Sequence, residues 1–273
     1  MIYEKRTLNL KGQAPDVPLT VYALDNSPEV DEHRRRPAVL ICPGGGYGFR
    51  SFRESEPVAV RLLALGFHAM ILDYSVAPVT FPAALLQVMA AVHDIRLNAE
   101  AWNVDPDRIA VMGFSAGGHL AASAGVFWHR PEYASKLGLT PEQVKPNSLI
   151  LGYPVITSGE NASHGGSFKN LLGERYEELK ESVSLELQVD EKTPPTFLWH
   201  TWSDGAVPIE NALLFLTALR KHRVKAEAHL YMEGPHGLSL ANDQVYGEAT
   251  KQNIRPACQN CIDMAATWLN ALT

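Results

Sequence analysis

Six short apolar runs alternate along this chain with stretches of helical periodicity, and that alternation limits the fold more than any other feature. The first run, Ala38-Val39-Leu40-Ile41-Cys42, stops at Pro43-Gly44-Gly45-Gly46. The others cover residues 67–72, 109–114, 148–152, 196–200 and 226–232. A continuous apolar run has no polar face, so it reads as a strand covered on both sides. Between the runs, apolar residues recur at helical spacing: Val58, Leu62 and Leu65; Leu85, Val88, Val92 and Ile95; Leu213, Leu216 and Leu219; Ile262, Ala265, Ala266 and Leu269. An Ala-rich stretch at 116–126 follows its strand directly. Ahead of all these, residues 3–10 and 19–24 read as antiparallel edge strands. The expectation is a three-layer α/β fold, a mostly parallel eight-stranded sheet with helices on both faces. Residues 1–273 are expected to make one domain, with a polar insertion at about 154–194.

Composition excludes several partners. A formal net charge of −6 argues against nucleic acid, which needs a basic surface. No stretch approaches the roughly 20 apolar residues that span a bilayer. Charged residues in Met1-Ile2-Tyr3-Glu4-Lys5-Arg6 occupy the place of a signal peptide's apolar region, so a cytoplasmic location is expected. Three cysteines, Cys42, Cys258 and Cys261, are too few for a secreted disulfide scaffold. Cys258 and Cys261 form a C-x-x-C pair without two further ligands at zinc spacing, and read as packed helix residues.

Ligands of parallel sheets sit at the carboxyl ends of the strands, so chemistry is sought in those loops. After run 109–114 comes Gly113-Phe114-Ser115-Ala116-Gly117-Gly118, a G-x-S-x-G sequence between strand and helix. Small residues on both flanks allow the sharp turn that lifts a serine hydroxyl above a sheet. Ser115 is therefore the expected nucleophile, and it needs a base. Of six histidines well downstream, His222 ends a helix pattern and His229 lies inside a strand. His236, in Gly234-Pro235-His236-Gly237, stands on a loop after the last run. Two aspartates lie between Ser115 and His236. Asp190 sits in a charged surface segment, whereas Asp204 follows run 196–200 and is expected to orient His236. His200 and His119 read as packed residues. The amides of Gly45 and Gly46, with that of Ala116 at the helix start, are the expected oxyanion hole, in a register open by one residue. Tyr47 and Trp202 flank these loops, as sugar-stacking rings or as plain packing. A second Gly-rich segment, His164-Gly165-Gly166-Ser167, follows no strand and reads as a polar insertion loop.

These residues resemble the α/β-hydrolase esterases of the hormone-sensitive-lipase-like superfamily. The nearer similarity is to a branch of small bacterial acetyl-xylan-esterase or "endo-xylanase-B-like" proteins. It rests on Cys42-Pro43-Gly44-Gly45-Gly46-Tyr47, Asp73-Tyr74-Ser75-Val76-Ala77-Pro78, Asp105-Pro106-Asp107-Arg108-Ile109, the Ser115 motif continued by His119-Leu120-Ala121, Asp204, and Pro235-His236-Gly237-Leu238-Ser239-Leu240. Pro43 departs from the histidine of the lipase HGGG loop. The resemblance implies hydrolysis of short-chain, above all acetyl, esters of small alcohols or carbohydrates through an acyl-enzyme, with no metal and no cofactor. The implied partner is a small-molecule ester such as an acetylated sugar or oligosaccharide. Monomer or homodimer stays open. A peptidase or amidase of the same fold, and a non-catalytic binding protein, are the competing readings.

Overall fold

The computed structural model describes residues 1–272. Its eight strands are β1 (Ile2–Leu8), β2 (Val17–Ala23), β3 (Arg36–Cys42), β4 (His68–Leu72), β5 (Val104–Phe114), β6 (Ser148–Gly152), β7 (Thr196–Thr201) and β8 (Ala226–Tyr231). They form one sheet in the order β1-β2-β4-β3-β5-β6-β7-β8. The pairs β1–β2 and β2–β4 are antiparallel, and every pair from β4 through β8 is parallel. Strand β5 begins five residues before the expected run. Its register jumps from Arg36↔Val104 to Ala38↔Ile109, and this irregular stretch accommodates Pro106, which cannot donate to a regular ladder.

The longer helices are α1 (Glu56–Ala64), α2 (Ala83–Leu97), α3 (Ala116–Phe127), α4 (Gly165–Leu172), α5 (Glu210–Lys221) and α6 (Cys261–Ala271). Side chains alternate across each central strand. In β3, Ala38, Leu40 and Cys42 join one core with α2, α3 and α5, while Val39 and Ile41 join the other with α1 and α6. The same alternation sends Val111 and Leu149 to the first layer and Met112 and Ile150 to the second. Helix α3 is buried throughout, which its small residues permit. Residues 154–194 are less polar than expected. Val155, Ile156, Phe168, Leu171, Leu172, Val183, Leu185 and Val189 are buried against the first core, so this segment packs as a helical layer rather than a solvated loop.

Candidate active site

Ser115 lies between β5 and α3 with φ 54° and ψ −122°, a strained left-handed conformation. Two glycines make this turn feasible. A Cβ on Gly113 would fall 2.0 Å from the Gly117 carbonyl, and one on Gly117 would fall 2.1 Å from that of Cys42. The turn is held by Ser115 N–H donating to the Gly152 carbonyl at 3.0 Å. The hydroxyl points to His236, on the loop after β8, with Oγ 2.7 Å from Nε2. His236 Nδ1 lies 2.7 Å from Asp204 Oδ2, on the loop after β7. Three loops distant in sequence thus meet at the carboxyl edge of the sheet.

Asp204 is 8% exposed. Its Oδ1 accepts the amides of Ala206 (2.9 Å) and Val207 (3.0 Å). Burial alone would raise this carboxyl, but donors from His200 and His236, the His236 charge and the Val207 amide outweigh it and hold Asp204 well below the usual carboxylate range. His200 Nε2 sits 3.4 Å from Asp204 Oδ2 and 3.0 Å from the Val207 carbonyl. Asp190, the other candidate acid, instead faces His129 Nε2 at 2.9 Å.

In the glycine loop after β3 one amide is already committed. The Gly44 amide donates to Glu54 Oε2 at 2.8 Å. The amides of Gly45, Gly46 and Ala116 donate to no acceptor among the described residues. Gly45 has φ 132°, and a Cβ there would meet the Phe49 carbonyl at 2.1 Å, so glycine is required. The Gly46 carbonyl accepts from Asn170 Nδ2 at 2.8 Å.

The expected aromatic pair divides. Tyr47 is 2% exposed, with its hydroxyl 2.8 Å from His119 Nδ1 and its ring edge-on to Tyr74. Its ring is spent on packing and offers no face to a substrate. Trp202 is 64% exposed. His119 is packed as expected, its Nε2 also bonded to the Val183 carbonyl. Cys258 and Cys261 are both buried free thiols.

The segment His164 to Ser167, expected as a loop, starts helix α4. His164 caps it, with Nδ1 2.8 Å from Ser167 Oγ. Burial, and then the charge of nearby His236, push the His164 imidazole below its ordinary value. Ser167 Oγ lies 3.8 Å from where a Gly46 Cβ would be. Helix α4 therefore walls the glycine loop with polar groups. Sequence reasoning missed Glu54, Tyr153 and Asn170, because each acts through a contact made only in the fold. Among the described residues, no three His, Cys, Asp or Glu side chains converge as metal ligands would, and no helix is long and apolar enough to cross a membrane.

The BD-FAE family model matches residues 26–219. Endo-1,4-beta-xylanase B of Butyrivibrio fibrisolvens is 36% identical over 223 residues, which are 78% of this chain and 34% of that protein. The chain thus spans about a third of that relative's length. Among solved structures, the carboxylesterase Cest-2923 from Lactobacillus plantarum WCFS1 is similar with a TM-score of 0.88 and 32% identity, covering 99% of this chain and 98% of that one. The acetyl ester-xyloside bifunctional hydrolase from Caldicellulosiruptor lactoaceticus is similar with a TM-score of 0.80 and 37% identity, covering 94% of this chain and 88% of that one.

Proposed function

The chain belongs to the BD-FAE family, and from that premise and the site geometry we propose that it is a serine esterase cleaving short-chain, above all acetyl, esters of small alcohols or carbohydrates. The observation that carries the reading is the unbroken relay Ser115 Oγ, His236, Asp204, with both links at 2.7 Å beside three unpaired amides. In the first half-reaction, Ser115 Oγ attacks the ester carbonyl carbon and its proton passes to His236 Nε2. Asp204 fixes the imidazole with Nδ1 protonated and stabilises the imidazolium. The carbonyl oxygen becomes an oxyanion at the amides of Gly45, Gly46 and Ala116, each such donor typically contributing about 3 kcal/mol. Collapse breaks the bond to the alcohol oxygen, which takes the proton from His236. Water then loses a proton to His236 and attacks the acyl-Ser115 carbonyl; collapse breaks the bond to Ser115 Oγ, which takes the proton back from His236, and the carboxylic acid leaves.

Support for a hydroxylated alcohol comes from His164, Ser167 and Asn170 around the glycine loop, and from the xylan-related names of two similar proteins. A second copy of the chain is the protein partner we infer. β8 ends the sheet with an unpaired edge, with Leu230 on the strand and Met232 just past its end both exposed, and gel filtration reads the resulting dimer. The test of function is release of acetate from acetylated xylo-oligosaccharides and p-nitrophenyl acetate, with labelling of Ser115 by a fluorophosphonate. Equal activity of wild type and Ser115→Ala would overturn the reading.

A further inference from the structure

Beneath the relay lies a carboxylate that the proposed mechanism does not use. Glu54 is 2% exposed, at the end of the short turn Phe52–Glu54 between the glycine loop and α1. Its Oε2 accepts the Gly44 amide at 2.8 Å, and its Oε1 accepts the Tyr153 hydroxyl at 2.7 Å. The Tyr153 oxygen in turn accepts the amide of Ser239, three residues beyond His236, at 2.8 Å. A second tie runs alongside, since the Ser239 hydroxyl donates to the Arg53 carbonyl. The Tyr153 ring stands edge-on to the His236 imidazole, with centroids 5.1 Å apart. A Cβ on Gly44 would lie 2.7 Å from Glu54 Oε2 and 3.0 Å from Ser115 Cβ. One carboxylate therefore holds Gly44, which itself packs against Ser115, and is linked through one tyrosine to the histidine loop.

Resting on the esterase reading above, we propose that Glu54 is a positioning residue: it sets the Gly45–Gly46 amides relative to His236 through the chain Gly44, Glu54, Tyr153, Ser239. Donor accounting favours its ionised form. Gly44 N–H and Tyr153 O–H both donate to it, and among the described residues Glu54 is the one acceptor within hydrogen-bond distance of the Tyr153 hydroxyl, whose oxygen itself accepts from Ser239 N–H. Burial works in the opposite sense and raises the Glu54 carboxyl, so its charge is lost at a higher pH than that of an exposed glutamate. Arg53, His236 and the hydroxyls of Tyr74, Tyr153 and Tyr246 are the other titratable groups around it. As an anion, Glu54 also favours the imidazolium formed when Ser115 attacks.

Glu54→Gln keeps the shape but cannot accept from both donors, because one of its two ends is an NH2 group. Tyr153→Phe keeps the ring and removes the hydroxyl that joins Glu54 to Ser239. Steady-state kinetics with p-nitrophenyl acetate should be measured where circular dichroism shows each variant folded. Both variants should lose about tenfold or more in kcat with KM nearly unchanged, the pattern of lost transition-state positioning. The acid limb of kcat/KM should move to lower pH in Glu54→Gln, which a packing role alone would not produce. Tyr153→Phe decides the case if Glu54→Gln does not fold. Wild-type kcat and an unshifted acid limb in folded variants would overturn the proposal. Such a result, with Ser115→Ala inactive, would leave the esterase reading standing, whereas an active Ser115→Ala would remove that reading instead.

Discussion

Asp204 divides its carboxylate between two tasks: Oδ2 lies 2.7 Å from His236 Nδ1, while Oδ1 is held by the amides of Ala206 and Val207. By accepting those amides Asp204 caps the turn that leads into α5, so the acid is fixed before it meets the histidine. Asp204→Asn can keep the cap through its amide oxygen but presents an NH2 group to His236. The imidazole then turns to the tautomer that cannot accept the serine proton. We expect kcat to fall about 10⁴-fold with little change in melting temperature. Asp190→Asn, whose carboxylate meets His129 and the Lys192 amide and neither Ser115 nor His236, should leave kcat within about twofold. The opposite ranking in p-nitrophenyl acetate assays would reassign the acid.

Acyl preference follows from the wall over the glycine loop. Ser167 Oγ approaches the Gly46 Cβ position at 3.8 Å, and Asn170 holds the Gly46 carbonyl. An apolar channel would reward each added methylene by about 0.8 kcal/mol. A polar wall withholds that gain, so kcat/KM should fall from acetate through butyrate to octanoate. A rise of about tenfold or more toward octanoate would mean that a long apolar channel opens elsewhere in the site.

The strands and the relay residues were legible because both are written in local pattern. An apolar run ending at Gly or Pro marks a strand end, and the strained turn at Ser115 requires the small residues around it. His236 and Asp204 were reachable because each follows such a run. Glu54 was not legible: in Phe52-Arg53-Glu54-Ser55-Glu56 it reads as one surface charge among several, and only the fold buries it against Gly44 and Tyr153. Tyr47 misled in the other direction, since adjacency to the glycine loop said nothing of its turn toward His119. The helix at α4 was hidden by Gly165 and Gly166, poor helix formers that here occupy its first turn, where the His164 cap supports them.

The layer formed by residues 154–194 hangs on one side chain. Asn211, fully buried on α5, accepts the amides of Ile156 (2.8 Å) and Thr157 (3.1 Å) through Oδ1. Its Nδ2 donates to the carbonyls of Ala162 (2.8 Å) and Pro208 (2.9 Å). Asn211→Ala strands these groups away from water, and we expect about 3 kcal/mol of lost stability in chemical denaturation. An unchanged denaturation midpoint would show that the layer is held by its apolar contacts alone.

Two buried histidines should make the fold sensitive to mild acid. His68 Nδ1 accepts the Leu24 amide at 3.0 Å, leaving Nε2–H to meet the Asn103 carbonyl at 3.1 Å. His119 Nδ1 faces the Tyr47 hydroxyl and its Nε2 faces the Val183 carbonyl. Each ring is satisfied while neutral, and protonating His68 would aim a new N–H at the Leu24 N–H. Burial pushes both imidazoles down to about 4. Between the unfolded value of about 6.5 and that folded value, the unfolded chain binds the extra protons, so stability rises with pH across this window. It is fully present above about pH 6.5 and is lost as pH falls toward 4, by up to about 3 kcal/mol for each ring. Asp204 acts in a lower range, because its depressed carboxyl matters only below the unfolded aspartate value of about 3.9. Melting temperature should therefore drop by several degrees between about pH 7 and pH 5, at roughly 2 °C per kcal/mol for a chain of this size. His119→Gln, polar but without a titrating proton in this window, should flatten the slope even if it lowers the plateau. A melting temperature constant from about pH 7 to 5 in the wild type would mean that these rings protonate in place without cost to the fold.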